Sequence, residues 1–369
     1  PPDVHVELFD DRCEAIPHDE PTDLVAITME TFTARRAYEI ADRFRARGVP
    51  VCLGGVHVSL LPDEAAPHAD ALVVGDAEPV WAALLEDLEN ARLQPRYQAD
   101  FSSPQAGTFP RRSLFADRGY LPISLIQYSR GCPFNCSHCS VARVFGHAHN
   151  FRPVEEVVEE IKRDKLKFLL FVDDNITANP DRAKELFEAL IPLKVPWASQ
   201  ASIDMVTDAE LIDLMARSGC IGQLIGFESI NEESLQWMNK RVNLRDFDFY
   251  QEAVEIIRNY GLQTWASFIV GGDQDTPESI RQTVEFSIQS KFTLGFFHMF
   301  SPYPATEIYD QFEKEGRLLY DGKWWLHPDY RYNVAAFIPK GMTPKHLGQL
   351  VVEANQRFYS CLLYTSPSP

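Results

Sequence analysis

The sequence predicts an α/β protein in two parts: a doubly wound open sheet, then a larger parallel barrel of six strand–helix units. Short apolar runs alternate with helical patterns along most of the chain, as parallel strands with crossover helices do. The alternation pauses over residues 92–120, which hold Pro95, Pro104, Gly107 and Pro110, and resumes with a longer period. At 369 residues the chain also exceeds what one hydrophobic core normally serves.

Within residues 1–91, Val4–Phe9, Leu24–Thr28, Val51–Gly54 and Ala71–Val74 read as short buried strands. Ala34–Arg47 carries apolar residues at helical spacing and stops at Gly48, and Glu78–Ala91 is a second helix entered through Asp76 and Pro79. Residues 92–120 read as a linker. Over 121–316 the predicted strands are Ile123–Tyr128, Phe168–Val172, Trp197–Gln200, Gly222–Phe227, Thr264–Val270 and Gly295–Phe300. Their helices are Val154–Lys165, Asp181–Leu190, Asp208–Ser218, Phe247–Tyr260, Glu278–Lys291 and Glu307–Glu315. Thr207 with Glu210 reads as a capping box, and Asn179 and Thr276 each precede a first-turn proline. Gly219 and Gly261 close two helices. Consecutive units with right-handed crossovers curl into a barrel, and six leave it partly open.

Residues 317–360 are expected to form a cap segment, with an aromatic stretch from Tyr320 to Tyr332 and a helix near Pro344–Tyr359. Residues 361–369 show no period and are expected to be a non-native tail. The chain opens at Pro1-Pro2, almost directly in a strand-like run, so a first strand of the sheet is expected upstream.

Composition excludes several classes. With 35 Lys and Arg against 53 Asp and Glu, the net charge of −18 disfavours nucleic-acid phosphates. No apolar run approaches the ~20 residues of a membrane span, and no signal peptide opens the chain. Seven cysteines, an odd number, do not suggest a secreted disulfide framework, so a reducing cytoplasm is expected.

Three of them sit in Arg130-Gly131-Cys132-Pro133-Phe134-Asn135-Cys136-Ser137-His138-Cys139. This segment follows the first barrel strand, at the C-terminal face where barrel enzymes keep their chemistry. Three thiolates from one loop can hold a cubane cluster and leave one iron without a protein ligand. That vacancy could take a small molecule offering an amine and a carboxylate. A structural zinc with His138, His147 or His149 as fourth ligand is an alternative, and a redox disulfide another. Cys13, Cys52, Cys220 and Cys361 have no such spacing.

The C-x3-C-x2-C loop on a six-unit barrel resembles the radical S-adenosylmethionine superfamily over about residues 121–316. His138 stands where that family usually has an aromatic. The resemblance implies a [4Fe–4S] cluster on Cys132, Cys136 and Cys139, with Phe134 and His138 beside the cofactor. It further implies that later strand ends hold S-adenosylmethionine: Asp173, Asp174 and Asn175 at the amino group, Glu228 and Ser229 towards the ribose, and Gly271 and Gly272 near the adenine, with Gln200 a further candidate. Each is alternatively an ordinary turn. The implied reaction is reductive, an electron from the cluster cleaving the sulfonium to a 5′-deoxyadenosyl radical, with flavodoxin or ferredoxin as reductant.

The strand ends of the first part read Thr28-Met29-Glu30-Thr31, Leu53-Gly54-Gly55-Val56-His57 and Val74-Gly75-Asp76. Ligands of open α/β sheets bind there, although an unadorned doubly wound domain would look the same. Placed before such a barrel, the part resembles the flavodoxin-like cobalamin-binding domain of the B12-dependent subfamily, with Thr28, Gly54, Gly55 and Gly75 around the cofactor. The Asp-x-His-x-x-Gly motif is absent, and His57 is expected to be solvated or hydrogen-bonded rather than a cobalt ligand. Loss of an inner strand would expose apolar edges, so the chain from Pro1 is expected to bind cobalamin poorly and the intact protein to bind it. The expected function is methylation of an unactivated carbon in a lipid or natural-product-like small molecule. A porphyrin-cyclase-like ring closure, a tRNA methylthiotransferase and a non-enzymatic iron–sulfur protein are the competing readings. The aromatic stretch with Trp324, Trp325 and Tyr330 would line a pocket or simply pack.

Overall fold

The computed structural model describes residues 4–100, 107–116, 118–244 and 248–360. It divides into two compact units, one of residues 1–122 with Trp325–His327 and one of 123–324 with 328–369.

The first unit is built on four parallel strands, β1 (Val25–Thr28), β2 (Val51–Gly54), β3 (Ala71–Val74) and β4 (Arg96–Gln98), lying side by side in that order. Val51, Leu53 and Ala71 are fully buried, as apolar inner strands should be. Helix Ala34–Arg45 turns Ala37, Tyr38, Ile40, Ala41 and Phe44 inward at helical spacing. Gly48, at φ 77°, follows its last turn.

Three expectations fail here. Val4–Phe9 pairs with no strand among the described residues, and Val6 and Phe9 stay exposed. An extended segment without a ladder leaves its backbone groups to water and gains nothing from the sheet. The strand order runs one way without the reversal of a doubly wound sheet among the described residues, because nothing lies on the far side of β1. The stretch expected as linker contains β4, whose Arg-Tyr-Gln buries only Tyr97, and a short 3-10 turn at Arg112–Phe115.

The second unit carries six parallel strands: β5 (Ser124–Ile126), β6 (Leu169–Phe171), β7 (Trp197–Ala201), β8 (Cys220–Glu228), β9 (Gln263–Val270) and β10 (Leu294–Met299). They neighbour one another in sequence order, and β5 and β10 are not paired, so the barrel is open. Along β9 burial alternates strictly: Thr264, Ala266, Phe268 and Val270 are buried while Trp265, Ser267 and Ile269 are half-buried on the other face. The buried face joins the main core, where Phe227, Phe268 and Phe297 stack at centroid distances of 5.6 Å.

Asn179 and Thr276 cap their helices as expected, accepting from Arg182 N and Ser279 N. The third cap differs: Asp208 accepts from Glu210 N and Leu211 N, while the Thr207 hydroxyl donates to Asp204 O. A carboxylate satisfies two first-turn N–H groups and opposes the helix dipole, so it displaces the threonine. Helix Pro344–Phe358 packs Leu347, Leu350 and Val351 with Phe300, Phe312 and Phe337. The expected tail 361–369, Cys361 and the helix start at Phe247 lie outside the described residues. No described helix is long and apolar enough to cross a membrane.

Candidate functional site

The cysteine loop leaves β5 on the C-terminal side of the barrel. The stretch before it forms a two-residue antiparallel ladder, Ser129–Arg130 with Asn150–Phe151, that the sequence had not suggested. Gly131, at φ 84°, passes so close to the Ala148 carbonyl that a Cβ would lie 2.1 Å from it. Beyond it, Ser137 N donates to Met238 O at 2.9 Å and Cys139 N to Cys136 O at 3.1 Å. Cys132, Cys136 and Cys139 are free thiols, each half-buried. Burial raises all three, Cys132 to about 11, and the Lys240 charge acts against this at each of them.

Among the described residues no three His, Cys, Asp or Glu side chains converge to hold a single metal ion. Of the histidines considered for zinc, His149 bonds the Ser129 hydroxyl at 3.1 Å and packs on Phe151, and His147 is exposed. The buried Nδ1 of His138 has no hydrogen-bond partner, an orphan that a bound group would satisfy. Burial lowers that imidazole to about 4, so it is neutral. Three free thiols with an orphaned nitrogen among them fit an iron–sulfur cluster with a small-molecule ligand. Phe134 and Cys136 line an open hollow of about 280 Å³ with Asn135, Asn239 and Arg241.

The strand-end residues divide by what their polar atoms do. Asp173 is wholly buried, and its carboxylate accepts from Tyr128 N, Ser129 N and the Ser129 hydroxyl. Asn175 is also turned inward, donating to Ser202 Oγ and accepting from Thr177. Asp174 is half-buried and accepts from Gly131 N at 2.9 Å. The expectation that all three face a ligand amine therefore gives way for Asp173 and Asn175, whose polar atoms serve the scaffold. Gln200 at the end of β7 is exposed.

β8 ends in a bulge where Glu228 adopts φ 61°, a left-handed conformation that costs a non-glycine residue. The kink aims its carboxylate at Lys240, Oε1 to Nζ 2.9 Å. A Cβ on Gly226 would lie 2.3 Å from Glu228 Oε1, so glycine clears room for the pair. Asn243 holds the bend by donating to the Gly226 and Phe227 carbonyls. Ser229 is buried and accepts from Asn231 N. Lys240 escaped the sequence reading because a lone lysine in a loop carries no periodic signal.

Gly271 and Gly272 are buried, against the expectation of an open approach to a flat ligand. Their N–H groups donate to Asp275 Oδ2 at 2.7 and 2.9 Å, and their Cβ directions are filled by Leu347 and Trp237. Next to them Asp273 is ion-paired with Arg317 and Lys340. Burial alone would raise the Asp273 carboxyl, but the two cations outweigh it and hold the group below its ordinary value. A carboxyl depressed in the folded state stabilises above its unfolded value of about 3.9 and loses that contribution as pH falls through the folded one. Arg317→Met is therefore expected to cost about 3 kcal/mol at pH 7 and progressively less below about pH 4, read by urea denaturation at each pH. An equal cost at both pH values would refute the charge argument.

In the first unit, Thr28, Gly54, Gly55 and Gly75 lie at or just beyond the ends of β1, β2 and β3. Gly55 (φ 98°) and Gly75 (φ 91°) are required by the backbone, since a Cβ would meet Met29 O at 2.6 Å and Ala99 O at 1.9 Å. Gly54 is under no such demand; its nearest neighbour would be Val73 Cβ at 3.6 Å. Ser59 stitches two strand ends, donating to Gly55 O and accepting from Gly75 N. His57 is fully buried, with Nδ1 3.2 Å from Thr31 Oγ1 and Nε2 3.1 Å from Glu64 Oε1, which also accepts from Trp325 Nε1. Both ring nitrogens are engaged, as expected of a hydrogen-bonded histidine.

The family model of the radical SAM superfamily matches residues 126–287. Bacteriochlorophyllide d C-12(1)-methyltransferase of Chlorobaculum tepidum is 30% identical over 96% of this chain and 79% of its own length. The C-8(2)-methyltransferase of the same organism is 32% identical over 86% of this chain and 74% of its own. Among solved structures, the radical S-adenosylmethionine methyltransferase TsrM from Kitasatospora setae, with cobalamin and a [4Fe–4S] cluster bound, superposes with a TM-score of 0.66 at 19% identity, covering 80% of this chain and 68% of that one. A three-cysteine loop on an open six-stranded barrel, a family match over most of that barrel and relatives aligned over most of their length agree: the chain belongs to the radical S-adenosylmethionine superfamily and groups there with methyltransferases.

Proposed function

We propose that the protein is a cobalamin-dependent radical S-adenosylmethionine methyltransferase acting on an unactivated carbon of an apolar, natural-product-like small molecule. The observation that carries the reading is the loop of three free thiols at the C-terminal end of β5. When bound, a [4Fe–4S] cluster on Cys132, Cys136 and Cys139 supplies the electron that cleaves S-adenosylmethionine, and cobalamin supplies the methyl carrier. The chain's own residues hold and orient these groups. Asp174, Glu228 and Lys240 put fixed charges near the loop, and neutral His138 offers an uncharged polar atom beside the last cysteine. Residues 1–91, completed by β4, would bind the corrinoid in flavodoxin-like fashion, 121–316 form the catalytic barrel and 317–360 cap it. Flavodoxin or ferredoxin is the expected reductant in a reducing, cytoplasmic setting, and the net charge of −18 argues against a nucleic-acid substrate.

The test is anaerobic reconstitution of the intact protein with iron and sulfide, then addition of cobalamin, reductant and S-adenosylmethionine. Methyl transfer yields both 5′-deoxyadenosine and S-adenosylhomocysteine; ring closure would yield the first without the second; absence of both from a loaded cluster removes the reading. The corrinoid half has its own test at Gly54. In the intact protein Gly54→Ala is expected to leave the fold and binding intact, whereas Gly54→Leu, a bulky side chain at the end of β2, should weaken cobalamin retention by at least about tenfold while circular dichroism is unchanged. Equal retention by the leucine variant would show that the corrinoid does not lie over β2.

A further inference from the structure

We infer that Asp173 and Asp174 are positioning residues that clamp the backbone ahead of Cys132, with Asp173 serving the loop and not a small-molecule amine. The inference rests on the cluster reading above and assigns these carboxylates a role in holding the cluster whether or not S-adenosylmethionine is present.

Both oxygens of Asp173 are occupied, and every donor comes from the segment that leads into the cysteine loop. Tyr128 N reaches Oδ2 at 3.0 Å, while Ser129 N and Ser129 Oγ both reach Oδ1 at 2.5 Å. A wholly buried carboxylate requires such donors, and this one finds them in two consecutive residues. The next residue along β6's exit, Asp174, takes Gly131 N at 2.9 Å. Adjacent carboxylates thus catch the N–H groups of residues 128, 129 and 131.

The same segment is held from its other side. Ser129–Arg130 pairs with Asn150–Phe151, and Arg152 N donates to Tyr128 O at 2.9 Å. His149 Nε2 stands 3.1 Å from Ser129 Oγ; that hydroxyl already donates to Asp173, so it accepts from the imidazole. Gly131 has no space for a side chain against Ala148 O. Cys132 therefore leaves a segment fixed on both edges, and the loop is oriented before any iron arrives. Ligands held by their neighbours in this way bind metal more tightly than floppy ones.

The chemistry predicts an asymmetry between conservative substitutions. Asp173 uses two acceptor oxygens, so Asp173→Asn sets an NH₂ group against an N–H donor. Asp174 uses one, and Asp174→Asn can turn its carbonyl towards Gly131 N. With the reconstituted chain and no S-adenosylmethionine, cluster loss to an iron chelator is expected to be about tenfold faster in D173N and within about twofold of the unmodified chain in D174N. Circular dichroism reports the fold. Should D173N not fold, Ser129→Ala removes only the hydroxyl and is expected to lose its cluster about threefold faster. Clusters as long-lived in D173N and S129A as in the unmodified chain would overturn the inference. Normal cluster lifetime in D173N with weakened S-adenosylmethionine binding would likewise overturn it and return Asp173 to the amine. An unmodified chain that takes up no iron would instead sink the cluster reading beneath it.

Discussion

Replacing Cys132, Cys136 or Cys139 singly by alanine is expected to abolish reductive cleavage of S-adenosylmethionine, by a factor of at least about 10³ in 5′-deoxyadenosine formed. Three thiolates are the fewest that leave a cubane with one open iron, and two leave it labile. The fold should not register the loss. All three side chains are only half-buried, and the loop is held by backbone bonds such as Ser137 N to Met238 O that alanine does not touch. Thermal unfolding should therefore move by less than about 1 kcal/mol equivalent while bound iron collapses. Cys52 and Cys220 give the contrast. Both are buried with burial raising the thiol, Cys52 to about 12, and neither is near the loop in sequence. Their alanine variants should keep activity and lose about 1 kcal/mol of stability. Cleavage surviving in a loop variant, measured by chromatography of the nucleoside, would remove the cysteines from the chemistry.

The barrel was legible because each of its strands is an apolar run bounded by turn residues and each helix carries marked ends. All six expected strands lie within a few residues of β5 to β10. What escaped is what lacks a period. β4 is three residues with one buried side chain, and the ladder of Ser129–Arg130 with Asn150–Phe151 is two residues on each side. Val4–Phe9 shows the converse failure: its composition suits a strand, but a strand exists only with a neighbour to bond, and pairing is not written in the segment itself.

The site divides in the same way. The cysteines announce themselves by spacing, and strand-end residues by place. Spacing and place cannot say which way a side chain turns. Asp173 and Asn175 sit where a ligand-facing group was expected, yet their atoms are consumed within the protein. Gly271 and Gly272 serve packing against Leu347 and Trp237. Lys240, Ser59 and Arg317 were invisible, since each is a single polar residue whose partner lies at a distance only the fold closes.

Lys240→Met is expected to cost about 3–5 kcal/mol at pH 7, because it strands the buried Glu228 carboxylate. The side chains of the pair are 13% and 9% exposed, and their separation is 2.9 Å. Burial by itself would raise Glu228, but the Lys240 ammonium and its hydrogen bond hold the carboxyl below its ordinary value. Burial opposes the Lys240 charge too, yet Glu228 raises that ammonium above its ordinary range. In the unmodified chain the depressed carboxyl contributes above its unfolded value of about 4.3 and is lost as pH falls through the folded one. The raised ammonium contributes below about 10.4 and is lost as pH rises through its folded value. Without Lys240 the sign on the acid side reverses: burial now lifts Glu228, the folded state binds the extra proton, and the variant gains stability between about pH 7 and 5. Adding Glu228→Gln should recover about 2 kcal/mol at pH 7, and the Glu228→Gln single variant then closes the double-mutant cycle that gives the coupling. Urea denaturation at the two pH values reads both effects. A variant whose stability stays level between pH 7 and 5, as this pair's contribution does in the unmodified chain, or a double variant no better than the single, would mean that Glu228 is not stranded and that the kinked end of β8 is held by Asn243 and packing alone.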